Sequence, residues 1–392
     1  MALHFQSALG IAAILALAWL LSENRRAFPF RTVAVGLLLQ VALALLLLKV
    51  PPAREGLFAL NGVVDALMAA TKAGTAFVFG YAGGGDTPFA VSNPAALGSF
   101  AFQILPLVIV ISALAALLWH WRVLPLIVQG FAFLLRKTMG IGGAVGLGSA
   151  ATLFLGMIEA PLIIRPYLPR FSRSDFFVLF TVGLASVAGT VFVLYAIMIA
   201  RIMIPGEADT ESAAVAADIS YRSSMDAVAR GTADGLQLWL GIVAMLLVMV
   251  ALVALADIIL GHLPAVAGAP LSAERIFGWA FAPVVWLYGV PWNEAMTAGA
   301  LMGDKTIINE FVAYMKLAAL PDGALSPRAR LIMLYAMCGF ANFGSVWILI
   351  AGVGGLAPER RDEIVPLALR ALLSGTMASG LTGAIIGFLP VA

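Results

Sequence analysis

Glu159 and Glu310 are the two side chains best placed to do chemistry. Each sits in a long apolar stretch: Thr152-Leu-Phe-Leu-Gly156-Met-Ile-Glu159-Ala-Pro161 and Gly303-Asp304-Lys305-Thr306-Ile-Ile-Asn309-Glu310-Phe. A carboxylate at bilayer depth costs at least about 2.5–3.5 kcal/mol, so it should face a cavity and meet a partner there. Each Glu is followed by a helix-breaking run of glycine and small polar residues. These are Gly183-Leu-Ala-Ser186-Val-Ala-Gly189-Thr190, with Ser186 27 residues after Glu159, and Cys338-Gly339-Phe-Ala-Asn342-Phe-Gly344-Ser345, with Asn342 32 residues after Glu310. Unwound helix frees N–H and C=O groups to bind a substrate and a cation, and paired interruptions in inverted halves point to a midplane transport site. The plainer alternative is that each Glu pairs with a nearby Lys or Arg and only closes its own segment. An enzyme within the membrane would need a nucleophile–base pair or a metal constellation, and no His or Cys is placed for one.

The elements that position these residues must be membrane helices. Apolar types make up 62% of the 392 residues and charged types 11%, against roughly 25% in soluble domains. Mean hydropathy is +1.01. The apolar runs are unbroken rather than alternating, which argues against a β-barrel. A single cysteine, Cys338, and three scattered histidines (His4, His120, His262) exclude an internal disulfide framework and make zinc or haem sites improbable. A net charge of +2 carries no nucleic-acid signal, and no cofactor is implied.

The chain therefore reads as an all-α polytopic membrane protein with eight crossings near 9–21, 31–49, 99–120, 175–200, 236–261, 275–291, 330–352 and 367–390. Residues 139–164 and 294–317 break the alternation and read as re-entrant hairpins, since bare backbone at membrane depth must line a protein cavity. Basic segments 23–31, 121–138 and 165–175 fall inside, with 356–370 there too. The acidic segment 201–234, at net −3, falls outside, as the positive-inside rule asks. Both termini are then outside. Three crossings separate the hairpins, so their mouths face opposite sides and the halves are inverted. Three sequence regions follow. Residues 1–97 carry helices 1 and 2 and an interfacial segment. Residues 98–262 carry the first repeat with hairpin one and broken helix 4, and 263–392 the second repeat with hairpin two and broken helix 7.

Other polar residues have plainer readings. Asp257 faces a helix interior or an interface, Cys338 is small packing, and His120 and His262 sit at crossing ends. Gly83–Gly85 lack the strand and helix that would make them a phosphate loop.

The run Gly303-Asp-Lys305-Thr-Ile-Ile-Asn309-Glu310-Phe311-Val-Ala-Tyr314 resembles the G-x-K-x-x-x-N-E-F-V-A signature of the concentrative nucleoside transporter family. Ser22-Glu-Asn-Arg-Arg26, Phe133-Leu-Leu-Arg-Lys137, Glu159-Ala-Pro-Leu162, Arg165-Pro-Tyr167, Cys338-Gly-Phe-Ala-Asn-Phe343 and Leu356-Ala-Pro-Glu-Arg-Arg361 resemble further family segments, in family order. The resemblance implies a homotrimer of eight-helix protomers that moves nucleosides inward by alternating access, driven by Na+ or H+, in the plasma membrane or a bacterial inner membrane. It implies ribose binding by Glu310, Asn342 and Ser345. It also implies water-mediated base recognition by Glu159 and an apolar contact to the base from Val191. A sodium site is implied at Thr152, Ser186 and the carbonyls of Leu155 and Val187.

The departures are specific. Met157-Ile158 replaces the Gln-Thr usual before the first Glu, removing two partners for a base edge. Thr152 replaces an asparagine that supplies a sodium-ligating oxygen. Trp347 stands where a small residue is expected. The sugar half of the site is thus kept and the base half is apolar, which keeps another ribosylated or polyhydroxylated solute in play as substrate.

Overall fold

The computed structural model describes residues 2–389 except 142, 153–156, 158, 186–189 and 207–219. Among these the chain is helical, with no named strand. The first five helices are α1 (Ala2–Leu20), α2 (Phe30–Lys49), α3 (Pro51–Phe79), α4 (Leu107–His120) and α5 (Val123–Met139). Hairpin one holds α6 (Gly143–Ala151) and α7 (Glu159–Ile163), followed by α8 (Arg173–Ala185), α9 (Thr190–Met203), α10 (Ser224–Gly261) and α11 (Ala273–Leu287). Hairpin two holds α12 (Trp292–Ile307) and α13 (Glu310–Ala319), followed by α14 (Pro327–Ala336), α15 (Phe343–Leu356) and α16 (Arg361–Phe388).

The helix starts in the second half are written locally. Ser326 caps α14 by accepting from the Ala329 N–H, with Pro327 at the first helical position. Asn309 and Asn342 cap α13 and α15 in the same way, accepting from Val312 and Ser345. Asp257, one of the residues with a plainer reading, accepts from the Ala273 N–H at 2.6 Å at the start of α11.

Two compact units divide the chain. One comprises Ala42–Ile127 with Ser220–Leu247. Within it α4 packs on the first half of α10 at glycines: a Cβ on Gly231 would meet the Ala116 Cβ at 2.7 Å, the small-residue contact that membrane helices use in place of a hydrophobic drive. The Trp239 indole donates to the Ala101 carbonyl at 2.9 Å. Where an interfacial segment was expected, α3 is a continuous 29-residue helix, and Gly62–Gly83 is long and apolar enough to cross a membrane.

The other unit comprises Met1–Val41, Val128–Ile219 and Val248–Ala392. At its centre is α16, buried almost all round from Ser374 to Gly387 and packed by α1, α8, α9, α14 and α15. Its small residues let neighbours close in; a Cβ on Gly383 would lie 2.7 Å from that of Ala336. α1 marks the two ends of this unit. At its N-terminal end, Ser7 donates to the Tyr288 carbonyl at 3.0 Å and the His4 ring meets the Phe388 carbonyl at 2.9 Å. Just beyond its C-terminal end, Glu23 pairs with Arg173 at 3.0 Å and also with Arg370. Met139, Gly140 and Ile141 lie near Asn24, at the Glu23 end, and Val290 lies against Gln6, at the Ser7 end.

One expectation is overturned. Residues 175–200 were read as one crossing interrupted in its middle. A straight path would separate Asp175 from Arg201 by about 39 Å at the helical rise. Instead their side chains pair at 3.4 Å, and the Ser174 hydroxyl donates to the Ile204 carbonyl at 2.6 Å. α8 and α9 therefore run back along each other. Hydropathy cannot separate one interrupted crossing from two apposed half-length helices, because both are unbroken apolar runs. Residues 201–206 consequently lie at the Glu23 end, beside a basic loop, and not opposite it as the charge alternation required. In the second half, α14 and α15 lie successively along α16, with Ala336 near Gly383 and Ala341 near Gly375.

Candidate functional site

Hairpin two and the second helix break build one polar cluster. α12 ends at Ile307, and Asn309 turns the chain into α13, so Glu310 occupies the first helical position, where a carboxylate meets the positive end of the helix. Across from it Asn342 begins α15. Its Oδ1 accepts from the Ser345 N–H at 2.8 Å. That capping bond leaves its amide nitrogen to donate to Glu310 Oε2 at 3.3 Å. Asn342 and Ser345 are buried, at 3% and 7% exposed, and Glu310 is half-buried. Three of the expected ribose residues are thus brought together from elements 32 or more residues apart in the sequence.

Two further groups belong here. Lys305 is completely buried and its ammonium donates to the Ala341 carbonyl, inside the break, at 2.9 Å. Its role was not assigned from sequence, although its place in the motif was the available signal. The Tyr314 hydroxyl donates to the Leu334 carbonyl at 2.8 Å, tying α13 to α14.

The first half is described only in part. Met157 lies against α8: a Cβ on Gly183 would stand 3.3 Å from the Met157 Cβ and 4.0 Å from Leu349 of α15. A Cβ on Gly339, in the second break, would meet the Ala185 carbonyl at 3.0 Å, so the end of α8 and the second break are in contact. Thr152 is buried and donates to the Ser149 carbonyl at 2.8 Å. Glu159 opens α7 and Val191 lies in α9, but both side chains fall outside the described residues, as do Leu155, Ile158, Ser186 and Val187 altogether. Trp347 is 65% exposed on α15 and is not packed into the cluster's interior.

No group of three or more His, Cys, Asp or Glu side chains able to hold a metal occurs among the described residues. The hydroxyl of Ser149, fully buried one turn before Thr152, has no hydrogen-bond partner among the described residues. Buried hydroxyls are rarely left so, and two neighbouring hydroxyl oxygens suit a cation that prefers oxygen.

Comparison with known proteins agrees along the whole chain. The model for the Na+ dependent nucleoside transporter C-terminus matches residues 186–387, that for the N-terminus matches 9–82, and a nucleoside recognition model matches 101–202. The uncharacterized transporter YutK of Bacillus subtilis is 35% identical, over 97% of this chain and 98% of its own. The nucleoside permease NupC of Helicobacter pylori is 34% identical, over 97% and 96%. Rat sodium/nucleoside cotransporter 1 is 30% identical over 97% of this chain, which spans 63% of the rat protein. Among solved structures, CNTnw in an inward-facing substrate-bound state superposes with TM-score 0.88 at 33% identity, covering 98% of this chain and 97% of that one. A CNTnw variant in an outward-facing state gives 0.87 at 33% identity, covering 99% and 98%.

Proposed function

Because this chain belongs to the concentrative nucleoside transporter family, we propose that it is an inward nucleoside:cation symporter working by alternating access as a homotrimer. The family makes it a multi-pass membrane nucleoside transporter and not an enzyme. The site chemistry, the coupling and the assembly are our reading.

The observation that carries the reading is the contact between Asn342 and Glu310 at two helix N-termini. An ionised carboxylate only accepts, and an amide both donates and accepts, so together with the Ser345 hydroxyl they can satisfy the two vicinal hydroxyls of a ribose. Substrate hydroxyls would take over the Glu310 oxygen that Asn342 now occupies, at little desolvation cost. Met157 and Ile158 face the base with no hydrogen-bonding groups, and Glu159 and Val191 complete that half. The hairpins at 139–164 and 294–317 act as re-entrant gates, and their mouths at opposite ends of one unit suit a cycle in which each closes in turn.

Thr152 and Ser186, with the carbonyls of Leu155 and Val187, would hold a sodium ion, and the Ser149 hydroxyl, without a partner among the described residues, would add an oxygen one turn before Thr152. Bound there, the cation would supply the gradient's driving force and a positive charge at the first half-site. Proton coupling is the second reading, favoured by the loss of the amide oxygen at Thr152. A ribosylated or polyhydroxylated solute other than an ordinary nucleoside is favoured by Met157.

Counterflow in proteoliposomes tests both substrate and coupling. Labelled uridine, adenosine and inosine should exchange without chemical change and accumulate under an imposed sodium or pH gradient. Exchange that ignores all three nucleosides and responds to free ribose or another polyol would replace the nucleoside reading.

A further inference from the structure

We infer that Lys305 is a positioning residue for sugar recognition: its ammonium, bound to the backbone of the helix break, holds the Glu310 carboxylate and the Asn342 amide in register. The inference rests on the ribose assignment above and adds to it a residue on the opposite side of the cluster from the ligand.

The geometry makes Lys305 hard to explain as filler. It is 0% exposed, and a buried ammonium without compensation is among the costliest groups a protein can hold. The four-atom side chain of Met would fill the space of the lysine stem as well. Its Nζ instead reaches from the last turn of α12 to the Ala341 carbonyl at 2.9 Å. Ala341 immediately precedes Asn342, and Asn342 donates to Glu310. The Lys305 ammonium and the Glu310 carboxylate are thus bound to adjacent residues of the break. The result is a chain of four residues, Lys305, Ala341, Asn342 and Glu310, running across two helix starts and one break.

Each link does separate work. The bond to Ala341 fixes the peptide plane just ahead of the α15 cap, and so sets the direction in which the Asn342 side chain leaves the helix. The lysine charge balances Glu310, so a carboxylate can be kept in the apolar interior with its oxygens turned toward the ligand. Asp304, the neighbouring acid on α12, is engaged elsewhere, with Lys316 at 2.8 Å, so it does not supply the balance. Removing Lys305 should therefore misplace both ribose-binding side chains while leaving the base-facing residues alone.

The test uses the full-length trimer with four proteins: parent, Lys305→Met, Glu310→Gln and the double variant. Two quantities are read. The first is uridine binding, with 2′-deoxyuridine and 3′-deoxyuridine as competitors. The second is thermal stability in detergent. Lys305→Met should weaken uridine binding at least tenfold and flatten the preference for ribose over the deoxy sugars. The double variant should bind no more weakly than either single one. It should also be more stable than Lys305→Met, because it no longer buries a lone carboxylate. Parent-like sugar preference in a folded Lys305→Met protein, or losses in binding that add up across the two sites, would overturn the inference. If Lys305→Met fails to fold, the double variant and Lys305→Arg carry the same comparison, and intact sugar preference in either overturns it. A parent that binds no nucleoside at all would instead remove the ribose assignment on which the inference stands.

Discussion

Asp175 in the first turn of α8 and Arg201 in the last turn of α9 form an ion pair at 3.4 Å, with side chains only 8% and 6% exposed. The arginine also donates to the Ser174 hydroxyl at 2.9 Å and the Gly206 carbonyl at 2.8 Å, and Asp175 accepts from the Ser172 N–H and hydroxyl. The pair joins the start of α8 to the end of α9.

Breaking that pair from one side should be costly. Arg201→Met leaves Asp175 buried without its counter-charge, a change that typically costs about 3–5 kcal/mol. The Ser172 bonds should hold the effect near the lower bound. Combining Arg201→Met with Asp175→Asn should recover part of the loss. Thermal unfolding in detergent reads both, and a single variant as stable as the parent would remove the pair from the fold's support.

Glu310→Gln removes a charge-assisted acceptor from the ribose site. Such a bond contributes about 1.5–3 kcal/mol, which corresponds to roughly one to two decades of affinity. Equilibrium uridine binding to the purified protein is the measurement, and unchanged affinity would take Glu310 out of the proposed site.

For coupling, Thr152→Val keeps shape and loses the oxygen. If sodium binds beside Thr152 and Ser149, sodium dependence of uptake should fall steeply while the protein stays folded, since hard cations select oxygen ligands. A parent whose uptake follows an imposed pH gradient and ignores sodium would decide for protons, with Glu159 and Glu310 as the carboxylates to titrate.

The apolar base half makes its own prediction. Met157→Gln with Ile158→Thr restores two hydrogen-bonding groups toward the base, where an unpaired polar edge costs about 1–3 kcal/mol. Uridine affinity should rise by about a decade while the ribose preference stays put. Identical ranking of uridine, adenosine and free ribose in both proteins would place base selectivity elsewhere.

Glu23 predicts a pH effect at the loop between α1 and α2. Partial burial works to raise its pKa, but the hydrogen bond and charge of Arg173, joined by Arg370, outweigh it and hold the carboxyl below its ordinary 4.5. A depressed folded value means the stabilisation is present above the unfolded pKa and disappears as pH falls through the folded one. Glu23 is 34% exposed, so screening keeps the effect under about 1 kcal/mol. Parent and Glu23→Gln should differ in melting temperature at pH 7 and converge as the pH falls through the depressed folded value. A constant gap across that range would show that Glu23 acts through packing.

Much of the second half was legible because its signals are local. Asn309 and Asn342 stand where N-caps belong, Gly339 and Gly344 mark the break, and a Glu in an apolar run has few places to go. Residue type and spacing alone therefore determined an all-helical membrane protein and a family signature around Glu310, and pointed to hairpin two and the second break as the place to look for a site. The tertiary structure decided what depends on contacts between distant segments. It turned α9 back along α8, brought residues 201–206 to the Glu23 end, and put Lys305 against Ala341. Hydropathy records how apolar a run is but not its direction, and only packing against α16 and the Asp175–Arg201 pair supply that direction.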